Sequence, residues 1–219
     1  MTEEEWLACE DPAQMLQYLW NRPSDRKLRL FACACARRTK PHTVVDVAEA
    51  FADRQIGQEE VWQARSQVGA IMGGSSEAAA LHAAVGTIAD YPFAAARGAA
   101  EQAALYRSLL SQEADPSDSA SRDAAQQAHR AEQATQSRLF RDIMGNPFRG
   151  VSIKSAWQTA TVTSMAQAIY DDRAFDRMPI LADALEDAGC TSADILDHCR
   201  QGGEHVRGCW VVDLVLGRE

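Results

Sequence analysis

AQAIYDDRAFDRMPILADALEDAGCTSADILDHCRQGGEHVRGCWVVDLVLG, residues 166–217, is the stretch whose reading decides the fold. It holds three of the six cysteines, two of the five histidines, clustered acids and arginines, and the most apolar run of the chain. Met178, Leu181, Leu185 and Ala188 recur at helical spacing, with Asp183, Glu186 and Asp187 on the opposite side. Gly189 is a natural helix stop. Thr191 with Asp194 three positions on matches a capping box, so a second helix is expected through Ile195, Leu196 and Cys199. Gln201-Gly202-Gly203 reads as a turn. From His205 to Leu216 the chain is apolar nearly all round, which marks a buried segment. Its valines also suit a central strand, but every neighbouring segment is helical, and helix is the expectation.

Upstream, the same periodicity continues. Asp11 and Pro12 suit a helix cap and its first position, followed by Met15, Leu16, Leu19 and Trp20. Ser24 is placed to cap a helix carrying Leu28, Leu30, Phe31, Cys33 and Cys35, which closes on Arg37, Arg38 and Lys40, where cations oppose the helix dipole. Helices are expected over 43–54 and 58–72. Gly73-Gly74-Ser75-Ser76 reads as a turn; with neither a lysine after it nor a strand before it, it is not a phosphate loop. From Glu77 to Ala104 alanine dominates, and Pro92 divides the segment into two helices. A polar turn at 115–119 leads into a long helix to Met144, so the middle of the chain reads as an extended Ala-rich helical hairpin. That hairpin reads as a projecting arm or as a face for a partner. Gly145-Asn146-Pro147 breaks the chain, and Ser155 is placed to cap a helix through Tyr170. The fold class is therefore all-α, a multi-helix bundle. The 219 residues form a single helical domain with a sub-boundary at 145–150, between 1–144 and a Cys/His-containing module at 151–219.

A net charge of −9 repels phosphate backbones, which weighs against nucleic acid and leaves binding through Arg26, Lys27, Arg29, Arg37, Arg38 and Lys40 as a weaker option. The N-terminus MTEEEWLACEDP lacks the apolar core of a secretory signal, and no run of about eighteen apolar residues exists to span a membrane. A cytoplasmic location and reduced thiols are expected.

Cys190, His198, Cys199, His205 and Cys209 fall within twenty residues. Thiolate and imidazole are the ligands zinc takes in a tetrahedron, so these five are the candidate metal ligands, for zinc or iron. Neither CxxC nor HExxH occurs. Cys33 and Cys35 are two apart and point roughly 200° apart on a helix, so they do not face one ion. The competing reading is that the cysteines are small core hydrophobes. A Cys–His dyad would pair Cys199 or Cys209 with His205 across the glycine turn, because adjacent helical residues such as His198 and Cys199 do not face each other. Asp171, Asp172, Arg173, Asp176 and Arg177 read as a solvated ion-pair network. Asp213, within the apolar run, needs a partner such as Arg173, Arg177, Arg200 or Arg207.

WLACEDPAQML (6–16), DRKLRLFACACARR (25–38), RDIMGNPFR (141–149) and the run from IYDDRAF to VVDLVLG resemble a family of functionally uncharacterised proteins from planctomycete bacteria. The resemblance spans roughly residues 5–40 and 138–217. It implies a bacterial cytoplasmic protein whose two ends belong to one structural unit, and it carries no catalytic or binding residue. The leading functional expectation is a non-enzymatic helical interaction module that binds a protein partner. The alternative is a metal-binding protein, hydrolytic or not, that uses the Cys/His cluster of 190–209.

Overall fold

A computed structural model describes residues 1–67, 75–112 and 119–218. Among these residues the protein is all-α, with twelve α-helices, two single-turn 3-10 segments and no strand. No described helix is long and apolar enough to cross a membrane. The chain divides into two compact units, Met1–Phe140 and Arg141–Glu219. The quoted blocks at 6–16 and 25–38 lie in the first, and those from Arg141 onward in the second.

Unit 1 contains α1 (Glu3–Ala8), α2 (Pro12–Tyr18), α3 (Asp25–Arg37), α4 (Thr43–Ala52), α5 (Gln58–Gln67), α6 (Ser76–Gly86), α7 (Pro92–Gln112) and most of α8 (Ser119–Met144). Its centre is α3, which packs against α4, α6 and α7. Ser24 caps α3 by accepting from the Lys27 N–H. Every residue of α3 from Leu28 to Ala36 is buried. This explains the small residues Ala32, Cys33, Ala34, Cys35 and Ala36: a helix surrounded by other helices has no room for larger ones. Cys33 and Cys35 are both core thiols there.

The alanines of α7 are equally buried, Ala95, Ala96, Ala99, Ala100, Ala103 and Ala104 among them. They allow close approach to α3 and α6. The α7 helix is therefore a core helix of unit 1 and not a projecting arm. It runs antiparallel to α8: the Gln136 amide donates to the Ala100 carbonyl at 3.1 Å, and Arg107 lies 3.6 Å from Glu132. The expected turns at 73–76 and 115–119, and the end of the helix expected over 58–72, lie wholly or largely outside the described residues.

The basic cluster of α3 is engaged within unit 1. Arg26 pairs with Asp53, Arg37 with Asp46 and Glu49, Arg38 with the buried Glu132 and Lys40 with Glu77. Arg29 donates to the carbonyls of Ala89 and Asp90.

Unit 2 begins with the last turn of α8 and continues through α9 (Ala160–Asp172), α10 (Met178–Asp187), α11 (Ala193–Arg200) and α12 (Trp210–Leu216). Val162, Ile169, Tyr170, Met178, Leu181, Leu185, Ile195, Val211, Val212 and Val215 form its core, with Cys190, Cys199 and Cys209 among them. Burial of each large apolar side chain contributes about 1.5–3 kcal/mol. Gly145 ends α8 at φ +71°, and a Cβ there would stand 3.3 Å from the Trp210 ring. Both the backbone angle and the close approach require glycine.

Three local expectations are corrected. Ser155 begins a 3-10 turn, and Thr159 caps α9 by accepting from the Val162 N–H. The cap position of α11 is Ser192, one residue later than expected and without a side-chain cap bond, so Ile195 stands where a box would need an acid, and Asp194 pairs with Arg149 at 2.8 Å. The segment expected as one helix from His205 to Leu216 is helical only from Trp210. Gly208, at φ +93°, turns the chain sharply before it.

Candidate metal centre

The non-helical segment 201–209 closes over the end of α11 and delivers His205 and Cys209 to the same place as His198. Two turns of α11 put His198 on its buried side. The last turn of α8 adds a fourth group, Asp142, whose neighbours Leu139, Phe140 and Ile143 are fully buried. One ligand atom from each of Asp142, His198, His205 and Cys209 lies within 4.8 Å of every other. His205 Nδ1 is 2.6 Å from Asp142 Oδ1. His198 Nε2 is 3.1 Å from the same oxygen and 3.2 Å from Cys209 Sγ. Cys209 Sγ is 3.9 Å from His205 Nδ1.

The cluster is deeply enclosed. Asp142 is 4% exposed, His198 9% and Cys209 0%, and the His205 side chain is 5% exposed. Burial pushes the Asp142 carboxyl up, but hydrogen bonds and charge from His198 and His205 outweigh it and hold the carboxyl below its ordinary value. Burial and the Asp142 charge push the Cys209 thiol well up, against the pull of the Val211 and Val212 N–H groups.

The atoms that meet distinguish between two chemistries. A nucleophile–base–acid relay uses both nitrogens of one imidazole, one facing the thiol and the other the carboxylate. Here each histidine turns the same nitrogen to both groups: Nε2 of His198 to Asp142 and Cys209, and Nδ1 of His205 to Asp142 and Cys209. Four donor atoms converging on one point are an arrangement that could hold a metal ion. Metal–ligand lengths of about 2.0–2.3 Å place neighbouring ligand atoms of a zinc tetrahedron roughly 3.3–3.6 Å apart. The observed separations bracket that range.

The surroundings orient three of the four donors. The Val206 N–H donates to Asp142 Oδ2 at 3.0 Å, so Oδ1 alone faces the centre. Gln201 Nε2 is 2.9 Å from His198 Nδ1. Cys209 occupies the cap position of α12. Among the described residues His205 Nε2 is buried without a hydrogen bond.

Of the five residues expected from sequence, the structure brings together His198, His205 and Cys209. Cys190 and Cys199 are not among the converging atoms. Cys199 follows His198 on α11, so its side chain turns about 100° away, into the helical core. Burial first, then Cys190 and Asp142, push its thiol up to about 12. Cys190 closes the end of α10 and is buried in the same core. Asp142 is the converging group that the sequence reading missed. Its signal was a carboxylate inside an apolar helix end, LFRDIM, the same kind of feature that draws attention to Asp213, which is itself buried. Of the arginines considered for Asp213, Arg200 pairs with Asp183 and Glu186.

Compared with protein-family models, with curated proteins and with solved structures, the chain has no significant match.

Proposed function

We propose that this is a non-enzymatic, metal-binding helical protein, with one zinc or iron ion held in unit 2 by Asp142, His198, His205 and Cys209. The observation that supports this reading is the convergence of four donor atoms on one enclosed point, each histidine presenting a single nitrogen to both the carboxylate and the thiol. One thiolate and two imidazoles suit zinc and iron over the harder magnesium and calcium. Four protein donors leave no open position for water or substrate, which is the pattern of a structural ion and not of a hydrolytic one. The ion then ties the last turn of α8, the end of α11 and the start of α12 into one unit. A reducing cytoplasm keeps Cys209 available as a ligand.

Metal content of tag-free protein, purified under reducing conditions, tests this reading. The expected result is about one ion per chain, lost in Cys209→Ser and in His198→Ala and retained in Cys190→Ser and Cys199→Ser. An ion-free wild type that takes up neither zinc nor ferrous iron on titration would refute it.

A protein-partner surface is the second reading, supported by unit 1. Trp62 and Tyr91 are 66% and 77% exposed, and Arg65 and Asp90, beside them in the chain, approach to 3.8 Å. Exposed aromatics are enriched at protein interfaces. Trp62→Ser and Tyr91→Ser should each shift stability by less than about 0.5 kcal/mol while weakening a co-purifying partner. Unchanged retention of that partner in the double variant would remove this reading.

A further inference from the structure

His198 can bind an ion through Nε2 only when its ring proton sits on Nδ1. What faces Nδ1 therefore decides whether the ring is ready for a metal. The facing group is the Gln201 side-chain amide, 2.9 Å away. Gln201 is the C-cap residue of α11, one turn beyond His198, with its own N–H bonded to the Asp197 carbonyl at 2.8 Å. That anchored backbone holds the amide over the ring edge.

A glutamine amide presents a donor on one side and an acceptor on the other. With nitrogen toward the ring, it donates to the Nδ1 lone pair, and the ring proton lies on Nε2, where it is shared with Asp142 Oδ1. That arrangement suits an ion-free cluster. With the amide turned over, its oxygen accepts from Nδ1–H, and the Nε2 lone pair points at the centre. Both arrangements use the same 2.9 Å contact. Among the described residues no comparable contact exists for the second imidazole, since His205 Nε2 has no hydrogen bond there. At the Nδ1 edge of His198 the facing group is Gln201.

We propose that Gln201 is a positioning residue that sets the tautomer of His198 and through it the affinity of the site for a divalent transition-metal ion. The proposal rests on the metal reading above. Orienting contacts of this kind change metal affinity by about 10–100-fold.

The test is zinc titration of the full chain, in competition with a chromophoric chelator, combined with 15N NMR of the His198 ring. Gln201→Leu, which keeps bulk without hydrogen bonding, should weaken zinc about 10–100-fold. Gln201→Glu, which offers acceptors only, should restore affinity to the wild-type level or better. The loaded wild type should carry the His198 proton on Nδ1. Equal zinc affinity in wild type and Gln201→Leu, or Gln201→Glu as weak as Gln201→Leu, would overturn the proposal while leaving the metal site intact. A wild type that binds no zinc in the same titration removes the metal site and this proposal together.

Discussion

Asp142 Oδ1 lies 2.6 Å from His205 Nδ1, although 63 residues separate the two in the chain. The same carboxylate receives the Val206 N–H on its other oxygen, so one side chain of α8 holds two successive residues of the 201–209 segment. Asp142→Asn keeps the shape and removes the charge. We expect it to abolish metal uptake and to destabilise the ion-free chain by about 1.5–3 kcal/mol, the range for hydrogen bonds to a charged group. Urea unfolding followed by tryptophan fluorescence reads this directly, because the Trp210 ring lies 5.0 Å from the His198 ring.

The same residue predicts acid sensitivity. Burial raises the Asp142 carboxyl, and the two histidines lower it by more, so its folded value lies below the ordinary one. A group lowered on folding stabilises above its unfolded value, about 3.9, and loses that contribution as pH falls through the folded value. The urea midpoint of ion-free wild type should drop below about pH 4 more steeply than that of Asp142→Asn. Parallel profiles for the two proteins would rule this out.

The thiols predict an order of reactivity. Burial raises Cys35 and Cys209 well above the ordinary thiol value and Cys199 to about 12. Only Cys9 is partly exposed. A disulfide reagent at pH 8 should modify Cys9 rapidly and the other five only after denaturation. A group raised on folding stabilises below its unfolded value, so the contribution of Cys199 should be lost as pH rises from about 8.5 towards about 12. Rapid modification of Cys209 in the native protein would contradict the burial described above.

Glu132 predicts a large loss in unit 1. It is 4% exposed, pairs with Arg38 through two contacts of 2.6 and 3.0 Å and has Arg107 at 3.6 Å. Removing one member of a buried pair leaves the other charge uncompensated, at a cost of about 3–5 kcal/mol. Glu132→Ala should lower stability by that amount, and adding Arg38→Met should recover part of it. A cost under about 1 kcal/mol, the range of an exposed pair, would show the cluster to be solvated.

Sequence by itself determined the helical class and most helix positions. Met178, Leu181 and Leu185 are buried on α10 as their spacing requires, Pro92 opens α7, and Ser24 and Asp11 cap where they were expected to. These features depend on neighbours within four residues, which a linear pattern records. Tertiary structure alone decided the rest. The α7 alanines are compatible with an exposed arm or a crowded core, and only the packing against α3 and α6 made them core. Asp194 satisfied the pattern of a capping box, yet the helix starts one residue later, at Ser192, and Asp194 pairs with Arg149, 45 residues away in sequence. The histidines and Cys209 were visible as ligand types, but which of the cysteines would join them depended on which side of α11 faced inward. Asp142 carried only the mark of a carboxylate inside an apolar helix end, because its partners His198, His205 and Cys209 reach it through long-range folding of α11 and the 201–209 segment. Coordination is a property of points in space, and spacing along a chain does not encode it.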